Sequence, residues 1–200
     1  HPTFKTDINR DAITLLLRHN CIPAPYSIYQ GINKLRPGDW LQLSLTQIEK
    51  AKAAQPKAYW RFNDIVKAGL ADPFTGSPDQ AVDALESVLT NSIGDQMLSD
   101  VPLGAFLSGG IDSSTVAALM QAQSRRPVKT FTIGFEDAGY NEAAHAKAVA
   151  EHLGTEHTEL YIKPKDALSV IPKLASIYSE PFSDSSQIPT YLVSQLASQH

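Results

Sequence analysis

The sequence predicts an α/β fold with a doubly wound, parallel sheet from about residue 77 onward. Three apolar runs of strand length lie in the second half of the chain, at residues 101–107, 128–135 and 157–162. Helical patterns at residues 113–124 and 141–153 separate these runs. Strands that alternate with helices at this spacing are joined by right-handed crossovers and lie parallel in one sheet.

Composition and charge restrict the functional classes. The 200 residues are 42% hydrophobic and 19% charged, which is typical of a globular domain. A formal net charge of −4 with no long run of either sign gives no reason to expect nucleic acid or a membrane surface as a partner. The single cysteine, Cys21, excludes an internal disulfide and suits the cytoplasm, and no run of about 18 apolar residues could span a membrane.

The first sixty residues predict one helix and one β-hairpin. Residues 11–19 have the apolar spacing of an amphipathic helix. Residues 27–35 and 40–45 then predict two strands, joined by a turn at Pro37-Gly38-Asp39. We expect this hairpin to be an edge piece of a larger sheet.

A domain boundary is predicted between residues 62 and 77. Residues 63–76 contain Gly and Pro and are interpreted as a linker between domains at 1–62 and 77–200. The chain starts at His1 without Met and stops within a helical pattern, so we interpret it as a piece of a longer protein.

A helix with clear start signals follows the predicted linker. Ser77 is a good N-cap, and Gln80 completes a capping box with it. Residues 164–179 and 188–199 also predict helices, and Pro172 should kink the first of these or end its first part.

The motif with the clearest chemistry is Ser108-Gly109-Gly110-Ile111-Asp112-Ser113-Ser114, which directly follows the predicted strand 101–107. In an open α/β sheet, ligands bind beyond the carboxyl ends of the strands. The glycines let the backbone approach an anion closely, and the following helix directs unpaired N–H groups at the same place. We therefore predict a phosphate-binding turn between a central parallel strand and a helix.

This turn matches neither of two common phosphate-binding motifs, because no Gly-Lys-Ser/Thr follows and the glycines are adjacent rather than spaced as G-x-G-x-x-G. Asp112 puts an anion into an anion site, where like charges repel strongly. A Mg²⁺ ion between Asp112 and the phosphates would turn this repulsion into attraction. The alternative is that Asp112 only caps the helix and the glycines form a tight turn.

A longer stretch, residues 101–114, resembles the signature of asparagine synthetases and related glutamine-dependent amidotransferases. The resemblance covers nearly the whole chain, and the loop motif is highly specific. Four further segments resemble the same family: Thr130-Phe131-Thr132-Ile133-Gly134-Phe135, Asn141-Glu142 through Leu153-Gly154-Thr155-Glu156-His157, Glu180-Pro181 with Asp184 and Ser185, and Ile32-Asn33-Lys34-Leu35-Arg36-Pro37-Gly38.

The resemblance implies a fold and a reaction. Residues 77–200 would be the N-terminal part of an ATP-pyrophosphatase (PP-loop) synthetase domain with an adenine nucleotide alpha hydrolase-like fold, truncated here. Residues 1–62 would be the tail of a class II glutaminase domain, an N-terminal nucleophile hydrolase. The parent enzyme would join a carboxylic acid, with aspartate the first choice, to AMP with loss of pyrophosphate, and ammonia from glutamine would then attack. ATP and Mg²⁺ are implied, and a cytoplasmic homodimer is compatible.

The resemblance also implies roles for individual residues. The pyrophosphate would be held by Ser108, Gly109, Gly110, Asp112, Ser113 and Ser114, with Asp112 as the metal ligand. The adenosine would be held by the backbone of Leu107, Ile133 and Gly134. An acidic loop with Glu180 and Asp184 would supply substrate or metal contacts, although such a loop is also often only solvated.

Two departures from the family pattern bear on activity. The family's glutaminase uses an N-terminal cysteine, whereas residue 1 is His1, and the downstream Gly-Asp-Gly-x-Asp-Glu stretch with a second metal aspartate does not occur. We therefore expect these 200 residues alone to be inactive. Another PP-loop ligase, lactam-forming or sugar-acid-amidating, and a nucleotide-binding module without turnover are the alternatives.

Four other residues invite a functional interpretation that we do not favour. His145, His152 and His157 lack a further ligand at a fixed spacing for a metal site, so we expect surface or packing roles. Cys21 has only His19 as a nearby partner, and we expect a small buried residue rather than a nucleophile.

Overall fold

The computed structural model describes residues 4–44, 55–135 and 142–200. It divides into two compact units, one of residues 1–75 and 175–184 and the other of residues 76–174 and 185–200. The helices are α1 (Arg10–His19), α2 (Phe62–Ala71), α3 (Pro78–Gln96), α4 (Ile111–Gln123), α5 (Ala143–Leu153), α6 (Pro164–Val170), α7 (Leu174–Ile177) and α8 (Gln187–Ala197). The strands are β1 (Asp39–Trp40), β2 (Lys57–Ala58), β3 (Gly104–Phe106), β4 (Lys129–Phe135) and β5 (Glu156–Ile162). In the described ranges, no helix is both long and apolar enough to cross a membrane.

The second unit is built on a parallel sheet with the strand order β3-β4-β5. Helices pack on both faces of this sheet. The buried side chain of Leu107, just after β3, packs with alanines of α4 and α5, whereas Phe131 of β4 packs with α8, and Ile162 of β5 packs with α6 and α8. The predicted α/β fold with a parallel sheet is therefore confirmed.

Local sequence signals predicted where several helices begin or end. The Ser77 hydroxyl accepts a hydrogen bond from the Gln80 amide at 3.3 Å, and the Gln80 side chain accepts one from the Ser77 amide at 2.8 Å, which is the predicted capping box. Pro172 lies in a 3₁₀ turn, Ile171–Lys173, that ends α6. The helix predicted from residue 141 begins at Ala143, and residue 141 itself lies outside the described residues.

The strand that precedes the serine- and glycine-rich loop differs from its prediction. Residues 101–107 were expected to form a central strand, but only Gly104–Phe106 pairs, and it pairs with β4 at the edge of the described sheet. Apolar character alone does not distinguish a paired strand from the extended chain that leads into it, and a central position depends on partners that the local pattern does not contain.

The hairpin predicted in the first unit is wrong, although its turn forms. The Asp39 amide donates to the Arg36 carbonyl at 3.0 Å, as a tight turn requires. However, β1 pairs antiparallel with β2, and residues 27–35 form no strand there beyond an isolated bridge between Ile8 and Tyr29. The predicted second strand extends to residue 45, which lies outside the described residues. Alternation shows that a segment is extended, but it does not identify its partner.

The predicted linker contains a helix, α2, at Phe62–Ala71. Its apolar side chains, Phe62, Ile65, Val66 and Leu70, follow the helical spacing i, i+3, i+4 and i+8. The glycine inside it, Gly69, costs a helix only about 1 kcal/mol relative to Ala and does not end it. Gly and Pro content therefore did not indicate this helix, and the role of residues 63–76 as a linker stays a prediction.

Cys21 is also different from its prediction, because the thiol is free and the residue is exposed. It follows the left-handed C-cap of α1, Asn20, which has a φ of 59°. A position directly after a helix end lies at the surface unless another element covers it, and residue type alone does not show this.

Candidate functional site

The serine- and glycine-rich loop lies at the carboxyl end of β3, beside β4. The amide of Leu107, which is only 2% exposed, donates to the carbonyl of Phe131 at 2.9 Å, so the chain leaves β3 alongside β4. Residues 108–110 then turn the chain, and Gly110 is the N-cap of α4 with extended backbone angles. The predicted turn from a parallel strand into a helix is therefore present at the predicted edge of the sheet.

Hydrogen bonds inside the loop fix its shape. The hydroxyls of Ser108 and Ser113 lie 2.9 Å apart. The Ser113 hydroxyl also donates to the Gly110 carbonyl at 3.2 Å and accepts from the Ser108 amide at 3.2 Å. In the other direction, the Gly110 amide donates to the Ser108 hydroxyl at 3.3 Å. Donors that are already held in place need little reorganisation when they meet a charged ligand.

Gly109 brings the loop against helix α5. Its φ is +77°, a conformation that residues with a side chain rarely adopt. A Cβ atom added to Gly109 would lie 2.7 Å from the amide nitrogen of Ala146 and 2.8 Å from the Cβ of His145. The obstacle is the helix itself rather than a flexible side chain. Glycine at this position thus permits both the turn and the close contact with α5.

A cavity of about 360 Å³ opens beside the loop. This volume is within the usual range for small-ligand sites. Its walls come from the ends of β3 and β4, from the start of α5 and from α8, and they combine apolar side chains with a few polar ones. The described residues that line it are Phe106, Leu107, Ser108, Ser113, Phe131, Thr132, Ile133, Phe135, Glu142, Pro189, Thr190 and Val193.

Some of the residues predicted for nucleotide binding meet in this cavity, and others do not. Leu107, Ser108, Ser113 and Ile133 line it. Gly134 instead lies against the ring of Tyr161, where an added Cβ would approach ring atoms to 2.6 Å. A hydrogen bond to Glu159 raises the pKa of that tyrosine. The remaining loop residues, Gly109, Gly110, Asp112 and Ser114, belong to the turn and to the first turn of α4.

Two side chains of the first turn of α4 have no partner among the residues that the structure describes. Asp112 is the second residue of α4, it is exposed, and its carboxylate makes no hydrogen bond or ion pair with the described residues. The hydroxyl oxygen of Ser114 is buried and, within the described ranges, also has no partner. Mg²⁺ sites typically use one or two carboxylates together with substrate phosphates. Asp112 and the nearby serine hydroxyls therefore fit a Mg²⁺–phosphate ligand.

The sequence did not identify several residues of the cavity wall. Glu142 lies at the start of α5. A helix that follows β4 must begin at the carboxyl edge of the sheet, so the position of Glu142 could have been predicted from the sequence. Thr132 alternates with the predicted Ile133 on β4, and its side chain is 4% exposed. Pro189 and Thr190 come from α8, and nothing local in the sequence indicates that α8 reaches this cavity.

The two acidic candidates, Glu180 and Asp184, belong to the other compact unit. Glu180 forms an ion pair with Lys34 and accepts a hydrogen bond from the amide of Ile28 at 3.2 Å. Lys34 also donates to the carbonyl of Ile22. The Glu180 carboxylate is thus held by contacts within its own unit.

His157 links the strands β4 and β5. Its Nδ1 atom lies 2.9 Å from the Thr130 hydroxyl, while its Nε2 atom is buried without a partner among the described residues. Burial lowers the pKa of His157, and the smaller effect of Glu159 opposes this. No group of three or more His, Cys, Asp or Glu side chains suited to a metal ion occurs in the part of the chain that the structure describes.

Comparison with known proteins assigns the chain to a family. The model of the family described as asparagine synthase matches residues 84–200, which include the loop, the sheet and the cavity. The chain belongs to the asparagine synthase family. This membership agrees with the resemblance seen in the loop motif.

Relatives over nearly the full chain carry the same family name. A Methanocaldococcus jannaschii protein, provisionally named asparagine synthetase (glutamine-hydrolysing) 2, is 37% identical over 194 residues, 96% of this chain and 35% of its own length. Asparagine synthetase (glutamine-hydrolysing) 1 of Bacillus subtilis is 29% identical over 97% of this chain and 29% of its own. The Homo sapiens asparagine synthetase (glutamine-hydrolysing) is 28% identical over 79% of this chain and 29% of its own. The chain therefore spans about a third of the length of these relatives.

Among solved structures, an NMN synthetase from Francisella tularensis is similar at 21% identity and a TM-score of 0.39, over 62% of this chain and 51% of that one.

Proposed function

We propose that this chain supplies the nucleotide-binding part of an ATP-dependent carbon–nitrogen ligase that uses glutamine as the amide donor. The observation that carries the proposal is the cavity of about 360 Å³ whose wall joins the serine hydroxyls of the loop to the ends of β3 and β4. Family membership and the names of the relatives support this class of reaction. The acid that best fits those names is aspartate.

The reaction has two steps. A carboxylate oxygen of the acid attacks the α-phosphorus of ATP, and the bond from that phosphorus to the bridging oxygen breaks, so that pyrophosphate leaves and an acyl-adenylate forms. Ammonia, released from glutamine, then attacks the acyl carbon, and AMP leaves as the C–N bond forms and the nitrogen loses a proton. The loop would act mainly on the leaving pyrophosphate, because hydrogen-bond donors aimed at developing charge stabilise the transition state.

We assign the chain's own residues to this chemistry as follows. The first turn of α4 would direct unpaired amides at the pyrophosphate, and Ser114 would add a hydroxyl donor. Ser108 and Ser113 would do the same by turning their hydroxyls from their hydrogen bonds within the loop. The backbone of Leu107, Ile133 and Gly134 would hold the adenosine. Asp112 would hold Mg²⁺, and the bound ion would supply positive charge to neutralise the phosphates. A substrate or metal role for Glu180 and Asp184 remains a proposal, and the contacts of Glu180 favour a structural role.

The proposal extends to the domains of the protein, its location and the activity of these 200 residues alone. The second unit would be part of an adenine nucleotide alpha hydrolase-like, doubly wound domain, and residues 1–62 would be the tail of a glutaminase domain. The enzyme would work in the cytoplasm, with a homodimer as one arrangement. The 200 residues alone would bind ATP weakly and catalyse no amide formation, since the relatives are about three times as long.

Pyrophosphate release by the full-length protein tests the proposal. The protein is given MgATP, glutamine and one acid at a time from a panel, beginning with aspartate. We expect pyrophosphate and AMP with aspartate and none without an acid. Release with a sugar acid or a lactam precursor instead would redirect the proposal to another PP-loop ligase. ATP binding without release for any acid would favour a nucleotide-binding module.

A further inference from the structure

Glu142 is a carboxylate on the cavity wall that the proposed roles leave unused. It is the N-cap of α5, but its backbone is helical and its side chain makes no capping hydrogen bond. The residue is exposed, and its carboxylate has no hydrogen-bond or ion-pair partner among the described residues. No contact with a described residue therefore requires a carboxylate here, and the residue lines the cavity, where it could serve a ligand.

The cavity is lined partly by polar and partly by apolar side chains. Ser108 and Ser113 belong to the loop that would hold the phosphates, whereas Ile133 and Val193 are apolar. Glu142 and Thr132 add polar atoms to the same wall, and the Thr132 hydroxyl makes no hydrogen bond to another described residue. A ligand that fits this lining has phosphates, an apolar ring and a polar part with hydroxyl groups. A ribonucleotide has all three.

Electrostatics favours different roles for the carboxylates of Asp112 and Glu142. A carboxylate near phosphates is repelled unless a cation lies between them, and Asp112 in the first turn of α4 is the candidate for that cation. Asp112 is not among the described residues that line the cavity, whereas Glu142 is. A carboxylate away from the cation is an acceptor, and the donors that ATP offers it are the sugar hydroxyls and the amino group of adenine. In dinucleotide-binding α/β folds an acidic side chain binds the ribose in this way.

We infer that Glu142 accepts hydrogen bonds from the sugar hydroxyls of the bound nucleotide and makes the site selective for ribonucleotides over deoxyribonucleotides. This inference rests on the proposed function, because it takes the ligand to be ATP. It goes further by naming the residue that distinguishes the sugar.

Calorimetric titration of the full-length protein tests this inference. The ligands are MgATP and its 2′-deoxy and 3′-deoxy forms, with inorganic tripolyphosphate and Mg²⁺ as a probe for the loop alone. We expect the wild-type protein to bind at least one deoxy form about tenfold more weakly than ATP, as expected for loss of a hydrogen bond to a charged group. In Glu142→Ala, ATP should bind about tenfold more weakly and the deoxy form as before, so that the preference disappears.

Glu151→Ala is the matched control, since Glu151 is an exposed acid near the other end of α5 and does not line the cavity. It should keep the wild-type preference. Glu142→Gln replaces the alanine variant if that variant does not fold. It should reduce the difference in affinity between ATP and the deoxy form without abolishing this difference.

The other outcomes separate two kinds of failure. An unchanged ATP preference in Glu142→Ala, or an equal loss of affinity for ATP, the deoxy forms and tripolyphosphate, would overturn the assignment of Glu142 to the sugar. Wild-type protein that binds neither ATP nor tripolyphosphate would overturn the proposed function, and the inference with it.

Discussion

At the scale of single residues, Asp112 is the side chain whose role the loop geometry restricts most. Gly110 occupies the N-cap of α4, so Asp112 is not the cap, and its carboxylate makes no hydrogen bond to the described part of the chain. An acid near a helix N-terminus gains about 0.3–1 kcal/mol from the helix dipole, which is a small structural benefit. Gly110 thus holds the N-cap position that the alternative gave to Asp112, and a role of Asp112 toward Mg²⁺ and phosphate stays a prediction.

We expect Asp112→Asn to nearly abolish pyrophosphate release by the full-length protein while it keeps the fold. The loss should be on the order of several kcal/mol in the transition state, because the metal would stabilise charge on the leaving group. Asp79→Asn is the matched control, since Asp79 is likewise the second residue of a helix, α3. Near wild-type, Mg²⁺-dependent release by Asp112→Asn would disprove the metal role.

Gly109 allows a second prediction, because its conformation and its surroundings both require glycine. In Gly109→Ala the side chain would adopt an unfavourable φ and also meet the backbone of α5 at 2.7 Å. Gly154 has a φ of +69° with open space around its Cβ position, so Gly154→Ala measures the conformational cost alone, about 1–2 kcal/mol. In urea unfolding, Gly109→Ala should lose about 1–3 kcal/mol more than this control. Equal losses would show that α5 moves away easily.

The sequence predicted the residues of the loop better than those of the cavity wall. Ser108 and Ser113 were predicted because a strand, two glycines and a helix start stand next to each other in the sequence. Ile133 was predicted only from the resemblance of residues 130–135 to a strand of the family. Thr190 could not be predicted in the same way, because the packing of α8 against β4 depends on the whole unit rather than on nearby residues.

At the scale of secondary-structure elements, helices were easier to predict than strand pairs. The capping box of α3 and the proline that ends α6 act through neighbours within four residues, so the sequence shows them directly. The partner of β1 is β2, which lies further along the chain than a local sequence pattern extends. The helix α2 was missed for a different reason, because its apolar spacing was present and the Gly and Pro count was given more weight.

The contact between β4 and β5 at His157 leads to a prediction about pH. Burial lowers the pKa of His157 below its usual value of 6.5, so the unfolded chain binds a proton more readily than the folded chain does. The stabilising contribution of the neutral ring is therefore complete above about pH 6.5 and is lost as the pH falls from there toward the lowered pKa of the folded state. Glu159 opposes the shift and Lys147 adds to it.

Urea unfolding of the chain at pH 8, 7, 6 and 5 should show this loss. In His157→Gln the free energy of unfolding should fall less between pH 7 and pH 5 than in the wild-type protein, while its value at pH 8 should be lower because the bond to the Thr130 hydroxyl is altered. His152→Gln, at an exposed position of α5, is the control and should keep the wild-type slope. A slope in His157→Gln equal to that of the wild type would contradict the assignment.

At the scale of the whole molecule, the chain forms two compact units, and one of them contains two separate segments of the chain. Residues 175–184 lie far along the chain but belong to the first unit. Their attachment is specific, because the Ser183 amide donates to the Asn20 carbonyl at 2.7 Å and Glu180 pairs with Lys34. Contacts between residues about 150 positions apart leave no local pattern, so no periodicity or motif could predict them.

Glu180 has either a structural role or a role toward the substrate, and its ion pair with Lys34 allows a test between them. The variants Glu180→Gln, Lys34→Met and the double variant form a thermodynamic cycle, with the free energy of unfolding measured in urea. We expect a coupling energy of about 0.5–1 kcal/mol, because the pair is partly exposed and water screens it. The Lys147–Glu159 pair, at 3.6 Å, serves as a comparison and should couple more weakly.

Pyrophosphate release by the full-length Glu180→Gln protein completes this test. If the carboxylate only holds residues 175–184 within the first unit, release should stay within about threefold of wild type wherever the variant is folded, since a contribution to substrate or metal binding through a charged hydrogen bond would cost about tenfold or more. The acid's KM should also be unchanged. A coupling energy near zero together with a loss of release above tenfold would show that Glu180 serves the reaction, and the ion pair with Lys34 would then be incidental to the fold.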